Sequence, residues 1–403
     1  MRILIINRWD DELAAFGGVI DHSRHQVAYV TVPSHVPMIP ATAAGTVELD
    51  SLADTAAVEQ AAETLRARMG GVDRIIAMSE YDLLTGAALR ERWNVPGSRV
   101  CDLTPFRDKA AAKTLLATAP GLAVPRFEPV ASIADVTAFA RRCTGGVIVK
   151  PRDGAGSVGC YRIRHGQSAA EALRGVDLTG YEVEEWIEAP VWHIDGLLHD
   201  GKALAVYPSR YIGTCLEFSQ RNAPIGSVVE HGPIADAMAD FAVACVTHLG
   251  LASGVFHLEA FETLAQPVFL EAAARVSGGP IPYTIRDVYG VDLVADWVRL
   301  QLGESPRTVP GRNPELSAGN LMLPSPYGLR LTERSPSLIG TLPGLYAEDL
   351  PEVGTVFDEP SVYERLVASF RFFGESADAV EESIRATDSL FHYSLAPALA
   401  AAS

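Results

Sequence analysis

The sequence predicts an α/β protein whose middle region is α+β, with antiparallel strands among its helices. Over the first hundred residues, strand signals at 2–6, 27–32 and 74–78 alternate with helical windows at 55–69 and 83–93. This order is typical of a parallel sheet flanked by helices. Further along, short apolar runs are separated by brief turn-rich connections, which favours hairpins. Two kinds of sheet are therefore expected in one chain.

Length, charge and cysteine content limit the class of protein. A chain of 403 residues should form two or three packed units. The formal net charge of −17 argues against a nucleic-acid partner, because phosphate backbones require clustered Lys and Arg. No apolar run approaches the roughly 20 residues of a membrane span, and no secretory signal is expected. The 5 cysteines are scattered, as in a cytoplasmic protein with reduced thiols. We expect a cytoplasmic protein with small-molecule partners and no membrane partner.

The N-terminal unit is expected to end near residue 105, where Pro96-Gly97 and Thr104-Pro105 interrupt the pattern. Ligands of parallel α/β units bind at the carboxyl ends of the strands, and Ser79 and Glu80 follow such a strand. Each is interpreted first as a cap or turn residue. Gly17-Gly18 lacks the GxGxxG pattern, so the sequence does not support a dinucleotide site.

A Gly-rich connection joins two predicted strands at 146–151 and 158–163. It contains Gly154 and Gly156, but it has neither the GxxxxGK[ST] pattern nor the following helix of a P-loop. Backbone N–H groups of such a hairpin can lie over phosphate groups, since glycine allows close approach. Two interpretations stay open: a phosphate-contacting hairpin beside Lys150, or a plain β-turn with a surface lysine.

Two later apolar runs carry one carboxylate each, Glu259 in the first and Glu271 in the second. The short connection at 262–266 predicts a hairpin between them. Burying two carboxylates costs several kcal/mol unless a cation neutralises them, which suggests a hard divalent metal with oxygen ligands. The alternative is a solvated sheet face. Arg275 follows closely and could hold a transferring phosphate group.

Five segments, in this order, resemble the ATP-grasp superfamily of carboxylate–amine ligases over nearly the whole chain. They are Arg107-Asp108-Lys109, Val149-Lys150-Pro151 with its hairpin, Glu184-Glu185-Trp186-Ile187, Asp195-Gly196, and the pair Glu259 and Glu271 with Arg275. The segment from Ser317 to Phe370 is similar to the end of biotin carboxylase and of the amino-acid ligases built like it. The resemblance implies a Rossmann-like pre-ATP-grasp domain at 1–105, a nucleotide-binding region at 106–310 with a mobile lobe at about 122–181, and a C-terminal portion at 311–403.

The resemblance also implies a role for particular residues. Arg275 is expected to steady an acyl phosphate as the catalytic residue, and Glu259 and Glu271 to hold Mg²⁺, with Mn²⁺ as the alternative. The residues expected to bind the ATP cofactor are Lys109, Lys150, Gly154, Gly156, Ser157, Glu184, Glu185, Ile187 and Asp195. The residues expected to contact substrate are Arg210, His257, Ser277, Gly278 and Gly279.

The expected reaction activates an amino acid or related small acid as an acyl phosphate and joins it to an amine, giving ADP and phosphate. The expected assembly is a homodimer. Two alternatives remain open. A bicarbonate-activating carboxylase is one, although Ser227 stands where the resemblance implies a lysine. A non-catalytic nucleotide-binding regulator is the other, suggested by Ala273, which replaces an Asn of many family members.

Overall fold

The computed structural model describes residues 1–9, 16–309, 315–357 and 366–398. Its strands are β1 Arg2–Ile6, β2 Gln26–Thr31, β3 Gly45–Glu48, β4 Arg74–Ala77, β5 Phe127–Val130, β6 Val147–Pro151, β7 Tyr161–Ile163, β8 Tyr181–Glu185, β9 Val191–His199, β10 Lys202–Ile212, β11 Ile225–Val229, β12 Gly254–Glu262, β13 Pro267–Ala273, β14 Ser317–Pro324, β15 Leu329–Arg334, β16 Leu345–Asp349, β17 Val356–Phe357, β18 Leu366–Gly374 and β19 Tyr393–Pro397.

The α-helices are α1 Thr55–Met69, α2 Leu83–Trp93, α3 Val100–Leu103, α4 Lys109–Leu116, α5 Ile133–Ala140, α6 Ala169–Ala172, α7 Cys215–Arg221, α8 Pro233–His248, α9 Ile281–Tyr289, α10 Leu293–Leu302 and α11 Ala377–Leu390. Among the described residues, no helix combines the length and the apolar character needed to cross a membrane.

The N-terminal sheet is parallel and has the strand order β3-β2-β1-β4. The predicted strands and helices of this region are confirmed, and α1 and α2 begin and end at the predicted residues. The sequence did not predict β3, because Val47 is the only strongly apolar residue among its four. The α/β fold class is therefore confirmed for this part of the chain.

A second sheet, with the order β5-β8-β6-β7, is antiparallel and lies within 127–185. In this sheet β5 begins only at Phe127, two residues after Pro125, which lacks a backbone N–H. Helix α4 precedes this sheet in the chain and begins at Lys109. Its N-cap is Asp108, whose carboxylate accepts from the N–H groups of Ala110 and Ala111.

The largest sheet has the order β13-β12-β9-β10-β11-β14-β18-β16. Strand β11 precedes the expected boundary at residue 310 and strand β14 follows it, yet the two strands pair. This sheet therefore joins the middle region to the C-terminal portion. Strands β17, β15 and β19 form a small further sheet. The domain boundaries inferred from the resemblance stay a prediction, and residues 363–365 of the similar C-terminal segment lie outside the described residues.

Strand alternation divides the residues of β12 between two environments. Phe256, Leu258 and Ala260 belong to the main hydrophobic core, against which α8 packs. His257 and Glu259 therefore point to the opposite face. The predicted hairpin is confirmed, since Glu259 lies directly across from Glu271 in the β12–β13 pair. Both carboxylates consequently share one face of the sheet.

We predict that Gly196→Ala destabilises the protein by about 1–3 kcal/mol, the usual range for overpacking. A Cβ at Gly196 would lie 2.5 Å from ring carbons of Phe256 and 2.8 Å from the carbonyl oxygen of Ala205. Urea unfolding measures the change. The control is Gly18→Ala, whose Cβ would have no atom within 4 Å. Equal stability of the two variants would contradict the packing described here.

Candidate active site

Three neighbouring strands place polar residues in two cross-strand rows on one face of the largest sheet. The first row contains Glu271, Glu259 and His193. The second contains Ala273, His257 and Asp195. Side chains directly opposite each other on paired strands lie about 4.5–5.5 Å apart at Cβ. Register alone therefore gathers five polar side chains, although the chain separates them by up to 78 positions (271 − 193).

The carboxylate of Asp195 lies between two histidines. Its Oδ2 lies 2.7 Å from Nδ1 of His193, and its Oδ1 lies 3.0 Å from Nδ1 of His257. Burial disfavours the charged carboxylate, but the two imidazoles outweigh burial and lower the pKa of Asp195. Burial likewise opposes a charged His257, but Asp195 and Glu259 outweigh burial and raise the pKa of His257 to about 10. Asp195 therefore contacts two histidines, and its expected role in binding the cofactor stays a prediction.

Glu259 is buried, and its Oε1 accepts a hydrogen bond of 2.8 Å from the hydroxyl group of Tyr211. Within the described residues, its ion-pair partner is His257, whose Nε2 lies 3.7 Å from that same oxygen. Glu271 has an ammonium neighbour, Nζ of Lys109 at 3.2 Å. Burial would raise the pKa of Glu271, but Lys109 and Lys150 outweigh burial and lower it to about 2.

The donor atoms of this face fit a hard divalent cation. Glu259 and Glu271 offer carboxylate oxygens from one row, and such oxygens are the ligands that hard divalent cations prefer. The hydrogen bond from Tyr211 occupies one lone pair of Glu259 and leaves the rest of that carboxylate available. The pair therefore suits a metal on chemical grounds, and its role as a metal site stays a prediction.

Glu80, at the end of β4, accepts hydrogen bonds from two arginines. Arg107 donates to Oε1 and Arg275 donates to Oε2. Arg107 also donates to the carbonyl oxygen of Asp153 in the Gly-rich hairpin at 2.7 Å. One carboxylate thus connects the N-terminal unit, the hairpin and the segment after β13. From sequence alone, Glu80 is interpreted first as a cap or turn residue. Its position after the carboxyl end of a parallel strand was the sequence signal for a place in the site.

Two lysines and two glutamates form a buried cluster between α4, β6 and β8. Lys113 donates to Oε1 of Glu182 at 2.5 Å and also to Glu184, and Nζ of Lys150 lies 2.9 Å from Oε1 of Glu184. Burial and the charge of Glu184 raise the pKa of Glu182 to about 7. Burial acts the same way on Glu184, but Lys113 and Lys150 outweigh it and lower its pKa to about 2.

Lys113 was not among the predicted site residues, although it is fully buried and contacts both glutamates. Its spacing from Lys109, one helical turn along α4, is a sequence signal that could have identified it. Burial lowers the pKa of Lys113 despite its two carboxylate neighbours. The opposite holds for Lys150, where Glu184, Glu182 and Glu271 outweigh burial and raise the pKa.

The Gly-rich hairpin lies against the start of α4. Nζ of Lys109 donates to the carbonyl oxygen of Gly154 at 2.5 Å, and the backbone N–H of Lys109 donates to the carbonyl oxygen of Arg152 at 2.9 Å. Gly156 and Ser157 both have positive φ, 62° and 58°. The structure therefore brings Lys109 and the hairpin together, whereas the surface-lysine interpretation fails for Lys150, which is buried.

Several predicted residues lie elsewhere. Arg210 lies between Ser209 and Tyr211 on β10 and pairs with Glu230 at 2.9 Å and Glu381 of α11 at 2.6 Å, on the face opposite His193. Alternation along β10 turns its side chain away from the face that carries His193, and its expected contact with substrate stays a prediction.

The residues flanking Glu184 do not join its cluster. Glu185 pairs with Arg126 at 2.8 Å on the other face of β8, and Ile187 lies half-buried beyond the end of that strand. Nucleotide contacts through these side chains stay predictions.

The turn after Arg275 leads into α9. The side chain of Ser277 is buried and its hydroxyl has no hydrogen-bond partner in the described part of the chain. Gly278 is exposed, and Gly279 has a φ of 62° that favours glycine. A Cβ at Gly279 would also lie 2.6 Å from Sδ of Met322. Their contact with substrate stays a prediction.

These groups converge on one cavity. Side chains from three parts of the chain line it, among them Glu80, Arg107, Lys109, His257, Glu271 and Arg275, together with the backbone of Gly154. Both cationic and carboxylate side chains line it, so the fixed charges of Arg107, Lys109 and Arg275 face the same space as the carboxylate of Glu271.

Comparisons with known proteins agree with this architecture. No family model matches the chain. The chain is 25% identical over 236 residues to the L-arginine-specific L-amino acid ligase of Bacillus subtilis, a match covering 56% of this chain and 57% of that protein. The chain spans about half the length of the curated relatives it matches.

Solved structures match over a greater length. An L-amino acid ligase from Bacillus licheniformis superposes with a TM-score of 0.78 at 18% identity, covering 98% of each chain. The biotin carboxylase domain of a 2-oxoglutarate carboxylase from Hydrogenobacter thermophilus, solved with MgADP and bicarbonate, gives 0.70 at 16% identity, covering 98% of this chain and 90% of that one. The chain has the ATP-grasp fold, as its five segments predicted. It is similar to the amino-acid ligase and biotin carboxylase branch, which the C-terminal segment predicted.

We predict that the stability difference between the wild type and Glu182→Gln depends on pH. A carboxyl group whose pKa rises from 4.5 to about 7 binds its proton more tightly when folded. Its contribution to the free energy of unfolding is therefore full below about pH 4.5 and declines as pH rises to about 7. Wild type should lose about 2 kcal/mol relative to the variant between pH 5 and 8.

Urea unfolding at several pH values measures this difference. Glu188→Gln is the matched control, because the Glu188 side chain is 78% exposed. Parallel pH profiles for wild type and Glu182→Gln would refute the proposed titration.

Proposed function

We propose that the chain is an ATP-dependent ligase that activates a small carboxylate, an amino acid or related acid, as an acyl phosphate and joins it to an amine. The observation that carries this proposal is the convergence of Lys109, Arg275, His257 and Glu271 on one cavity beside the Gly-rich hairpin. The similarity to an L-amino acid ligase over 98% of both chains supports the same chemistry.

In this proposal the nucleotide lies between the hairpin and the buried lysine–glutamate cluster. Lys109 and Lys150 contact its phosphates, and backbone N–H groups near Gly156 and Ser157 lie over them. Glu259 and Glu271 hold the divalent cation, Mg²⁺ or Mn²⁺, which supplies neutralising charge to the phosphate oxygens when bound. The ammonium group of Lys109, 3.2 Å from Glu271, belongs to a residue that lines the cavity beside the hairpin.

The chain's own residues then arrange the reactants. The substrate carboxylate attacks the γ-phosphorus, the bond to ADP breaks, and an acyl phosphate forms. The amine attacks the acyl carbon, inorganic phosphate leaves, and the amine loses a proton. Arg275 neutralises the phosphoryl group in both steps, since its guanidinium reaches into the cavity. Glu80 orients Arg275 by accepting its Nε hydrogen.

Buried Ser227 disfavours the carboxylase alternative. Its hydroxyl accepts from Nδ2 of Asn320 at 2.9 Å. Both Ser227 and Asn320 are buried, and the charge of a lysine at this position would be buried with them. The regulator alternative rests on Ala273 and predicts nucleotide binding without turnover. Both alternatives are separated from the ligase by product analysis.

We predict amine-dependent release of ADP and phosphate when the protein is given ATP, Mg²⁺ and pairs of amino acids. L-Arginine belongs in the first panel, because the curated relative is named for it. A coupled ADP assay with mass spectrometry of the condensed product measures turnover. Binding of ATP without ADP release from any pair would favour the regulator, and labelled bicarbonate incorporated into biotin would favour the carboxylase.

We predict that Arg275→Met lowers kcat/KM by about 10²–10³, the usual loss for a group that stabilises transition-state charge. The matched control is Arg210→Met, which removes an arginine of similar exposure that pairs with Glu230 and Glu381 away from the cavity. It should keep kcat/KM within about threefold. An equal loss in both variants would refute the assignment of Arg275 and restore a substrate role for Arg210.

A further inference from the structure

One face of β8 carries two buried carboxyl groups side by side. Glu182 and Glu184 are two residues apart on this strand, so they point to the same face, and both are buried. Lys150 of β6 lies directly across from Glu182, which places its side chain on that face as well. Lys113 of α4 contacts both carboxyl groups. Two lysines therefore match two glutamates in a setting without access to water.

Lys150 connects this cluster with the cavity. It ends in the strand that leads directly into the Gly-rich hairpin, and Gly154 of that hairpin lines the cavity. Burial lowers the pKa of Lys150, but the charges of Glu184, Glu182 and Glu271 outweigh burial and raise it. Because Glu271 lines the cavity, the ammonium group of Lys150 is within electrostatic range of the cavity as well as of the cluster.

Lys113 faces the cluster and not the cavity. Helix α4 presents Lys109 and Ala112 to the cavity, whereas the ammonium group of Lys113 contacts Glu182 and Glu184. That ammonium group also lies 5.0 Å from the centre of the Phe127 ring, and the side chain is fully buried. Lys113 therefore neutralises the carboxyl groups from a position that a ligand in the cavity does not reach.

Glu184 is the carboxylate that the two lysines share. Lys113 donates to its Oε1, and Nζ of Lys150 lies 2.9 Å from the same oxygen. A buried carboxylate needs at least one cation beside it, because desolvation makes an unpaired charge strongly unfavourable. With Lys113 in place, Glu184 keeps a partner when Lys150 turns to another anion. Without Lys113, Glu184 would retain Lys150.

We propose that Lys113 is a positioning residue that acts through Lys150: it keeps Glu184 paired, so that the ammonium group of Lys150 contacts the phosphates of the bound nucleotide. This inference rests on the proposed function, in which Lys150 contacts those phosphates. Two other roles of Lys113 give different results in the test. Lys113 could contact the nucleotide itself, or it could serve only to stabilise the fold as the partner of Glu182.

The test is a double-mutant cycle on the binding of MgADP to the full chain, measured by isothermal titration calorimetry. Lys150→Met should weaken binding at least about tenfold, the usual effect of losing a hydrogen bond to a charged group. Lys113→Met should weaken it about five- to tenfold. The double variant should bind MgADP within about twofold of Lys150→Met, because Lys113 has no further effect once Lys150 is absent. Losses that multiply in the double variant would overturn the proposal.

A second comparison separates positioning from damage to the fold. Glu182→Gln removes a carboxyl group that pairs with Lys113 and leaves Lys113 to pair with Glu184. This variant should bind MgADP within about twofold of the wild type. Adding Lys113→Met leaves one carboxylate beside one lysine, so the charges stay matched, but Glu184 then holds Lys150. MgADP binding should fall about five- to tenfold.

Urea unfolding of both Glu182→Gln proteins checks that they are folded under the conditions of the titration. Equal MgADP affinity of these two proteins would overturn the proposal and leave Lys113 as a partner of Glu182 alone.

The proposed function and this inference can fail independently, because ADP binding needs no turnover. Losses that do not multiply, in a protein without ligase turnover, support the inference and refute the function. Losses that multiply, in a protein that joins an acid to an amine, overturn the inference and leave the ligase proposal intact. Absence of MgADP binding by the wild type overturns the inference directly.

Discussion

The pairing of β12 with β9 on one side and β13 on the other is the constraint on which the cavity depends. It places Glu271, Glu259 and His193 in one row and Ala273, His257 and Asp195 in the next. The opposite face carries Phe256, Leu258 and Phe269 into the main core. A shift of register by one residue would exchange these two faces and place charges in the core, so the core itself maintains the polar face.

Other elements supply the charges that this face lacks. Lys109 arrives from the first turn of α4, Arg275 from the segment after β13, and Glu80 from the end of β4 in the N-terminal unit. Buried ion pairs contribute little net stability, because desolvation offsets their attraction. Their effect here is on position, because each pair holds a cationic side chain at the cavity wall. A polyanionic ligand in the cavity could replace the carboxylate as the partner of that side chain.

Prediction from sequence succeeded where the signal was local. The ends of α1 and α2, the hairpin between β12 and β13, and the pairing of Glu259 with Glu271 followed from apolar periodicity and turn length. It failed for β3, whose single strongly apolar residue gives no pattern. The ion pairs of Arg210 with Glu230 and Glu381 join residues far apart in the sequence, which local patterns do not predict.

The sequence by itself determined the class of protein. Its five motifs, which include the lysines, the hairpin glycines and the paired glutamates, can be recognised from residue types and order alone. Only the tertiary structure decided which side chains meet. Lys113 joins Glu182 and Glu184, Glu80 holds two arginines, and His257 lies opposite Ala273. These contacts connect residues from different strands and helices, and their distances depend on register and packing, which no local pattern encodes.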